Sequence, residues 1–79
     1  MMNNMTMTFV SSTEVNYKEK VKSIVLYLNR IGVRWTMDDW MQNGVEGTRF
    51  VYFHRDLGVR DTVNEIVGIT TTGGIVLTN

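Results

Sequence analysis

The stretch GTRFVYFHR, residues 47–55, decides how this chain folds. It holds three of the eight aromatic residues and the only histidine. Its aromatic and β-branched content is that of a strand. Successive strand side chains point to opposite faces, so Val51 and Phe53 share one face while Phe50, Tyr52 and His54 share the other. Val51 and Phe53 are purely apolar and are expected in the core. Phe50, Tyr52 and His54 mix rings with polar tips and are expected on a half-wet surface.

On its C-terminal side the stretch runs into DLG at 56–58, which reads as a turn. Val59, Val63, Ile66 and Val67 then recur at helical spacing and predict a short helix over 59–67. TTTGG reads as a loop and GIVLTN as a last strand. On its N-terminal side lies QNGVEG, 42–47, a Gly-rich connection suited to a hairpin. Before it, Val33, Trp35 and Met37 alternate with Arg34, Thr36 and Asp38 and predict a strand over 33–38. Trp40 falls on the polar side of that alternation. Either a bulge shifts the phase, or Thr36 caps a short helical turn ending near Gly44.

Further back, Tyr17, Val21, Ile24, Val25, Leu28 and Ile31 form one stripe and predict a helix from about Glu14 to Ile31. Gly32 follows where a left-handed cap is wanted. Ser11 with Glu14 reads as a capping box. Leu26 falls on the polar side of this helix. MTMTFV, 5–10, alternates as a strand, with Met5, Met7 and Phe9 on the face expected in the core and Thr6, Thr8 and Val10 on the other. The chain has no proline, so its turns depend on Gly and Asn.

The resulting order is β-α-β-β-α-β, the split βαβ or ferredoxin-like pattern. The expected architecture is a single α+β domain over residues 1–79, with a four-stranded antiparallel sheet and both helices on one face. The other sheet face is left open. Seventy-nine residues without cysteine bury only a small core and have no disulfide to reinforce it. No apolar run approaches a membrane span. MMNNMTMTFV lacks the basic start and long apolar centre of a secretory signal. A reducing, cytoplasmic location is the expectation. The formal charge is zero, which argues against a strongly basic nucleic-acid binder.

The third strand resembles the signature of the RNA-recognition motif, a family with this fold. Read against that signature, residues 46–53, EGTRFVYF, match at Gly47, Phe50, Val51 and Phe53 and depart from it at Glu46, Thr48 and Arg49. The resemblance implies that Phe50 stacks on a base, and it would give Phe9 the same role.

The residues themselves favour a non-catalytic protein-interaction module, a small inhibitor or adaptor, working through the open sheet face or as a homodimer. Phe50, Tyr52, His54, Arg34, Trp40 and Leu26 are the expected contact residues, being of types enriched at interface hot spots or exposed beside them. Single-stranded RNA or DNA binding through the third-strand aromatics is the alternative. No catalytic site, metal site or cofactor is expected. There is one histidine, no cysteine and no Gly-rich phosphate loop, and adjacent Asp38 and Asp39 would point oppositely on a strand.

Overall fold

In the computed structural model, which describes residues 4–68 and the backbone of 74–78, the pairing of two strands sets every layer. β1 (Asn4–Ser11) runs antiparallel to β3 (Val45–His54), with Thr6 opposite Tyr52, Thr8 opposite Phe50 and Val10 opposite Thr48. Directly opposed residues share a face. Thr6, Thr8, Val10, Phe50 and Tyr52 are all buried, and they face the two helices. Met5, Met7, Phe9, Val51 and Phe53 therefore lie on the side away from the helices. This reverses the expected polarity of both strands.

β2 (Trp35–Gln42) pairs with the outer side of β3. It is one unbroken strand, so neither a bulge nor a helical turn occurs at 36–44. The hairpin closes at Asn43 and Gly44, both with positive φ (52° and 78°), as the tight two-residue turn with right-handed strand twist requires.

The expected four-stranded ferredoxin-like sheet is corrected. The side chains that are described build an open sheet of three antiparallel strands, β1-β3-β2, with two helices, and the class is α+β overall. Beyond it, the backbone of β4 (Gly74–Thr78) runs antiparallel along β1 and gives the order β2-β3-β1-β4. Only its main chain is described, so the core contains no described side chain from it. The TTTGG loop lies outside the described residues except for Gly74.

The first helix, α1, is Tyr17–Ile31 rather than a helix from Glu14. Ser11 is not its cap. Its hydroxyl accepts from the Thr13 N–H, and its carbonyl accepts from the Glu14 N–H, closing a turn instead. Asn16, at φ 58°, starts the helix without a side-chain cap. Asn tolerates this left-handed conformation better than most residues. Ile24 and Leu28 are buried, with Tyr17, Val21 and Val25 packed beside them, while Ile31 at the end of the stripe is exposed. Gly32 closes the helix at φ 74°, its N–H shared by the Leu28 and Asn29 carbonyls.

The second helix, α2, is Leu57–Val67. It begins before 59 because the Asp56 carboxylate accepts from the Gly58 N–H, an N-cap within the expected turn. Val63 and Val67 enter the core, and Lys20 of α1 donates to the Val67 carbonyl at 2.8 Å, tying the two helices together.

Candidate functional site

The helix-facing row of β3 cannot serve as a contact surface. Phe50 and Tyr52 are 0% exposed and His54 is 3% exposed. The expectation that they lie on the open face is therefore corrected, as is the stacking role implied for Phe50. Two of their polar atoms find partners inside, whereas His54 Nδ1 is buried without a hydrogen-bond partner among the described residues. The Tyr52 hydroxyl lies 3.0 Å from that of Thr8, and Thr6 Oγ1 lies 2.6 Å from His54 Nε2. These are diagonal cross-strand pairs, two positions off the directly opposed residue. Each β1 threonine reaches a polar ring tip on β3. Burial raises the Tyr52 phenol from 10.0 to about 12 and lowers the His54 imidazole below its ordinary value.

The other row is different. Met5 stands opposite Phe53, Met7 opposite Val51 and Phe9 opposite Arg49, and all five apolar residues are half-buried. Among the described residues no helix covers them. Together they make a continuous apolar strip across the two central strands. The rim is polar. Arg34, just before β2, lies over the Phe53 ring at 4.6 Å. Arg49 lies over the Trp40 ring at 3.8 Å and forms two hydrogen bonds, of 2.9 and 2.7 Å, with the Asp38 carboxylate.

Gly47 explains how Phe9 lies. A Cβ added at Gly47 would sit 2.7 Å from Phe9 Cε1 and still closer to the Val10 carbonyl oxygen. The missing side chain leaves the space that the Phe9 ring occupies beside Gly47.

Of the expected contact residues, the structure thus brings Arg34 and Trp40 (38% exposed) to the open side. Leu26 is 60% exposed but sits on α1, across the sheet from this strip. Met5, Met7, Phe9, Val51 and Phe53 are the open-face residues that the sequence reading assigned to the core.

Two clefts flank the strip. One, of about 460 Å³, lies at its Phe53 end and is bordered by Arg34, His54, Arg55 and Asp56. The other, of about 710 Å³, lies at its Gly47 end and is bordered by Tyr17, Asp39, Trp40 and Glu46. Among the described residues no three His, Cys, Asp or Glu side chains converge as a metal site would need, and no helix is long and apolar enough to cross a membrane.

Comparison with known proteins returns no relative: no family model, no curated protein and no solved structure matches the chain.

Proposed function

We propose that this chain is a non-catalytic protein-interaction module, a small inhibitor or adaptor, whose working surface is the open face of its sheet. One observation carries the reading: both central strands turn apolar side chains away from the helices, namely Met5, Met7 and Phe9 from β1, and Val51 and Phe53 from β3. A sheet with one wet face shows apolar residues inside and polar ones outside. A sheet apolar on both faces is the pattern of one covered on both sides. The surrounding Arg34, Trp40 and Arg49 supply the aromatic and guanidinium chemistry enriched at protein interfaces.

Single-stranded nucleic acid is less well supported. Phe50 and Tyr52 are withdrawn into the core, and the guanidiniums of Arg34 and Arg49 already lie over the rings of Phe53 and Trp40. A stacking base would have to displace them.

The test is affinity capture from the native host with the wild-type chain, Val51→Asp, and Leu26→Asp on the far side. The proposal expects a specific protein retained by the wild type and by Leu26→Asp and lost with Val51→Asp. Equal capture by all three, with circular dichroism showing each folded, would overturn it.

A further inference from the structure

We infer that the outer edge of β2 is a docking strand for an extended segment of another protein, one that carries a Lys or Arg between two apolar residues at alternate positions. This surface is distinct from the open face and does not depend on the reading proposed for it.

β2 stands at the edge of the sheet, bonded to β3 alone among the described residues. The ladder fixes which of its backbone groups are left over. The Phe53 N–H donates to the Arg34 carbonyl, so these two residues form a hydrogen-bonded pair. Such pairs alternate along an antiparallel ladder. Thr36, Asp38, Trp40 and Gln42 therefore bond to β3. Trp35, Met37, Asp39 and Met41 turn their N–H and C=O groups outward, and their side chains share the helix-facing side with Tyr52, Phe50, Thr48 and Glu46.

Sheet edges are ordinarily closed by short length, proline, a bulge or charge. β2 has eight residues, no proline and one unbroken register. Every residue from Thr36 to Gln42 is exposed. Trp35 Nε1 donates to Asn29 Oδ1 at 2.9 Å and anchors the start of the strand on α1. Charge is what remains, in two aspartates. Asp38, on the open side, is bonded to Arg49. Asp39, on the helix-facing side, enters no ion pair among the described residues.

That carboxylate selects the occupant. Antiparallel pairing matches outward-bonding residues with outward-bonding residues. A second copy of β2 can therefore be centred on residue 38 or on residue 39, but not between them. The first register sets Asp38 against Asp38, the second Asp39 against Asp39. These two overlap the strands most, and both oppose like charges. A cation opposite Asp39 is favoured for the same reason. Beside Asp39 in the outward row stand Met37 and Met41, 49% and 58% exposed. They suit apolar residues two positions either side of the cation. On the open side Arg49 already neutralises Asp38, and Arg34 lies off the edge over the Phe53 ring. The intervening residues of the occupant need no charge.

The helix-facing side also has room for the cationic tip. The cleft of about 710 Å³ is bordered there by Tyr17, Asp39, Met41 and Glu46. Glu46, opposite Met41, adds a second carboxylate outside any ion pair among the described residues. The Tyr17 hydroxyl, 2.5 Å from Thr48 Oγ1, fixes one wall. A neutral or acidic strand would leave both carboxylates without counter-charge.

The test is fluorescence anisotropy with the full chain and a labelled seven-residue peptide, blocked at both ends, that alternates Thr and Val around a central Lys. One comparison peptide has Glu at the centre. Another keeps Lys but carries N-methyl groups on the Lys and Val amides. The expected result is saturable binding of the Lys peptide, with the Glu peptide at least ~10-fold weaker because it opposes like charges. The methylated peptide should bind at least ~10-fold more weakly too, since main-chain bonds supply affinity in strand addition. Asp39→Lys, shown folded by circular dichroism, should reverse the preference between the Lys and Glu peptides. Hydrogen exchange at the Met37, Asp39 and Met41 amides should slow in the complex. Val51→Asp, on the open face, should bind the Lys peptide as the wild type does. No binding of the Lys peptide, or equal binding of the Lys, Glu and methylated peptides, would overturn the inference. So would binding that survives Asp39→Lys unchanged and is lost in Val51→Asp, which would move the contact to the open face.

Discussion

The hydroxyl of Tyr52 lies 3.0 Å from that of Thr8, inside the layer between sheet and helices. Removing one partner leaves the other buried and unpaired, which is the costly half of the exchange. Tyr52→Phe should lose about 1–2 kcal/mol in urea unfolding, and adding Thr8→Val should recover part of that loss. The phenol titrates at 10.0 in the unfolded chain and at about 12 in the fold, where burial holds it neutral. The unfolded state thus releases its proton first. The stabilisation is complete below pH 10 and falls as pH rises from 10 to about 12. Unfolding midpoints measured at pH 8 and pH 11 should show this fall in the wild type, and Tyr52→Phe should reduce it.

His54 gives the opposite pH response. Burial lowers its pKa below 6.5, so on acidification the unfolded chain takes up the proton first. Its contribution is complete above about pH 6.5 and is lost as pH falls through the lowered value. Stability should drop between pH 7 and pH 5. In His54→Gln, carboxylate titration remains but the histidine component of that drop disappears, giving a flatter profile.

Gly47 is required by contact rather than by φ. A Cβ there meets the Phe9 ring and, across the ladder, the backbone oxygen of Val10. A backbone atom cannot turn aside as a flexible side chain does. Gly47→Ala should therefore cost at least ~2 kcal/mol, near the upper part of the overpacking range. Phe9→Ala in the same background should relieve only part of the loss, because the Val10 oxygen remains. Thermal melts of the single and double variants decide this.

The ion pair between Arg49 and Asp38 should matter little to stability. It is bidentate but lies at a solvent-exposed rim. Exposed pairs contribute roughly 0.2–1 kcal/mol. Asp38→Asn should change the unfolding free energy by less than ~1 kcal/mol. Arg49→Ala should do more to Trp40, whose ring it covers at 3.8 Å. A shift of the tryptophan emission in Arg49→Ala, larger than in Asp38→Asn, is the expected signature.

Much of the element order was legible because it depends on local signals. The stripe from Tyr17 to Leu28, the Gly32 cap and the Asn43-Gly44 turn each act within a few residues. The polarity of the sheet was not legible for a different reason. β1 and β3 carry bulky residues on both faces, so hydrophobicity does not choose between Val51-Phe53 and Phe50-Tyr52. The choice is made by partners 44 and 48 residues away, where Thr8 meets the Tyr52 hydroxyl and Thr6 meets Nε2 of His54. The signal was present in two alternations at once. Threonines at every second position of β1 complement polar-tipped rings at every second position of β3. Read singly, each strand points the wrong way. The helix start failed more locally: Ser11 used its hydroxyl in a turn and left Asn16 to begin α1.

The inverted β1 has a consequence for how faithfully the chain finds one structure. In most half-buried strands, a slip of one residue exposes the apolar set and is rejected on that account. Here a slip would exchange Thr6 and Thr8 for Met5, Met7 and Phe9, which the interior would accept. Hydrophobicity alone does not enforce the alignment of β1 with β3. That task passes to two hydrogen bonds, Thr6–His54 and Thr8–Tyr52, which exist in one alignment only. Thr6→Val combined with Thr8→Val would therefore yield a chain that still collapses but pairs its strands in more than one way. In this small sheet the buried hydroxyls act less as cement than as an address.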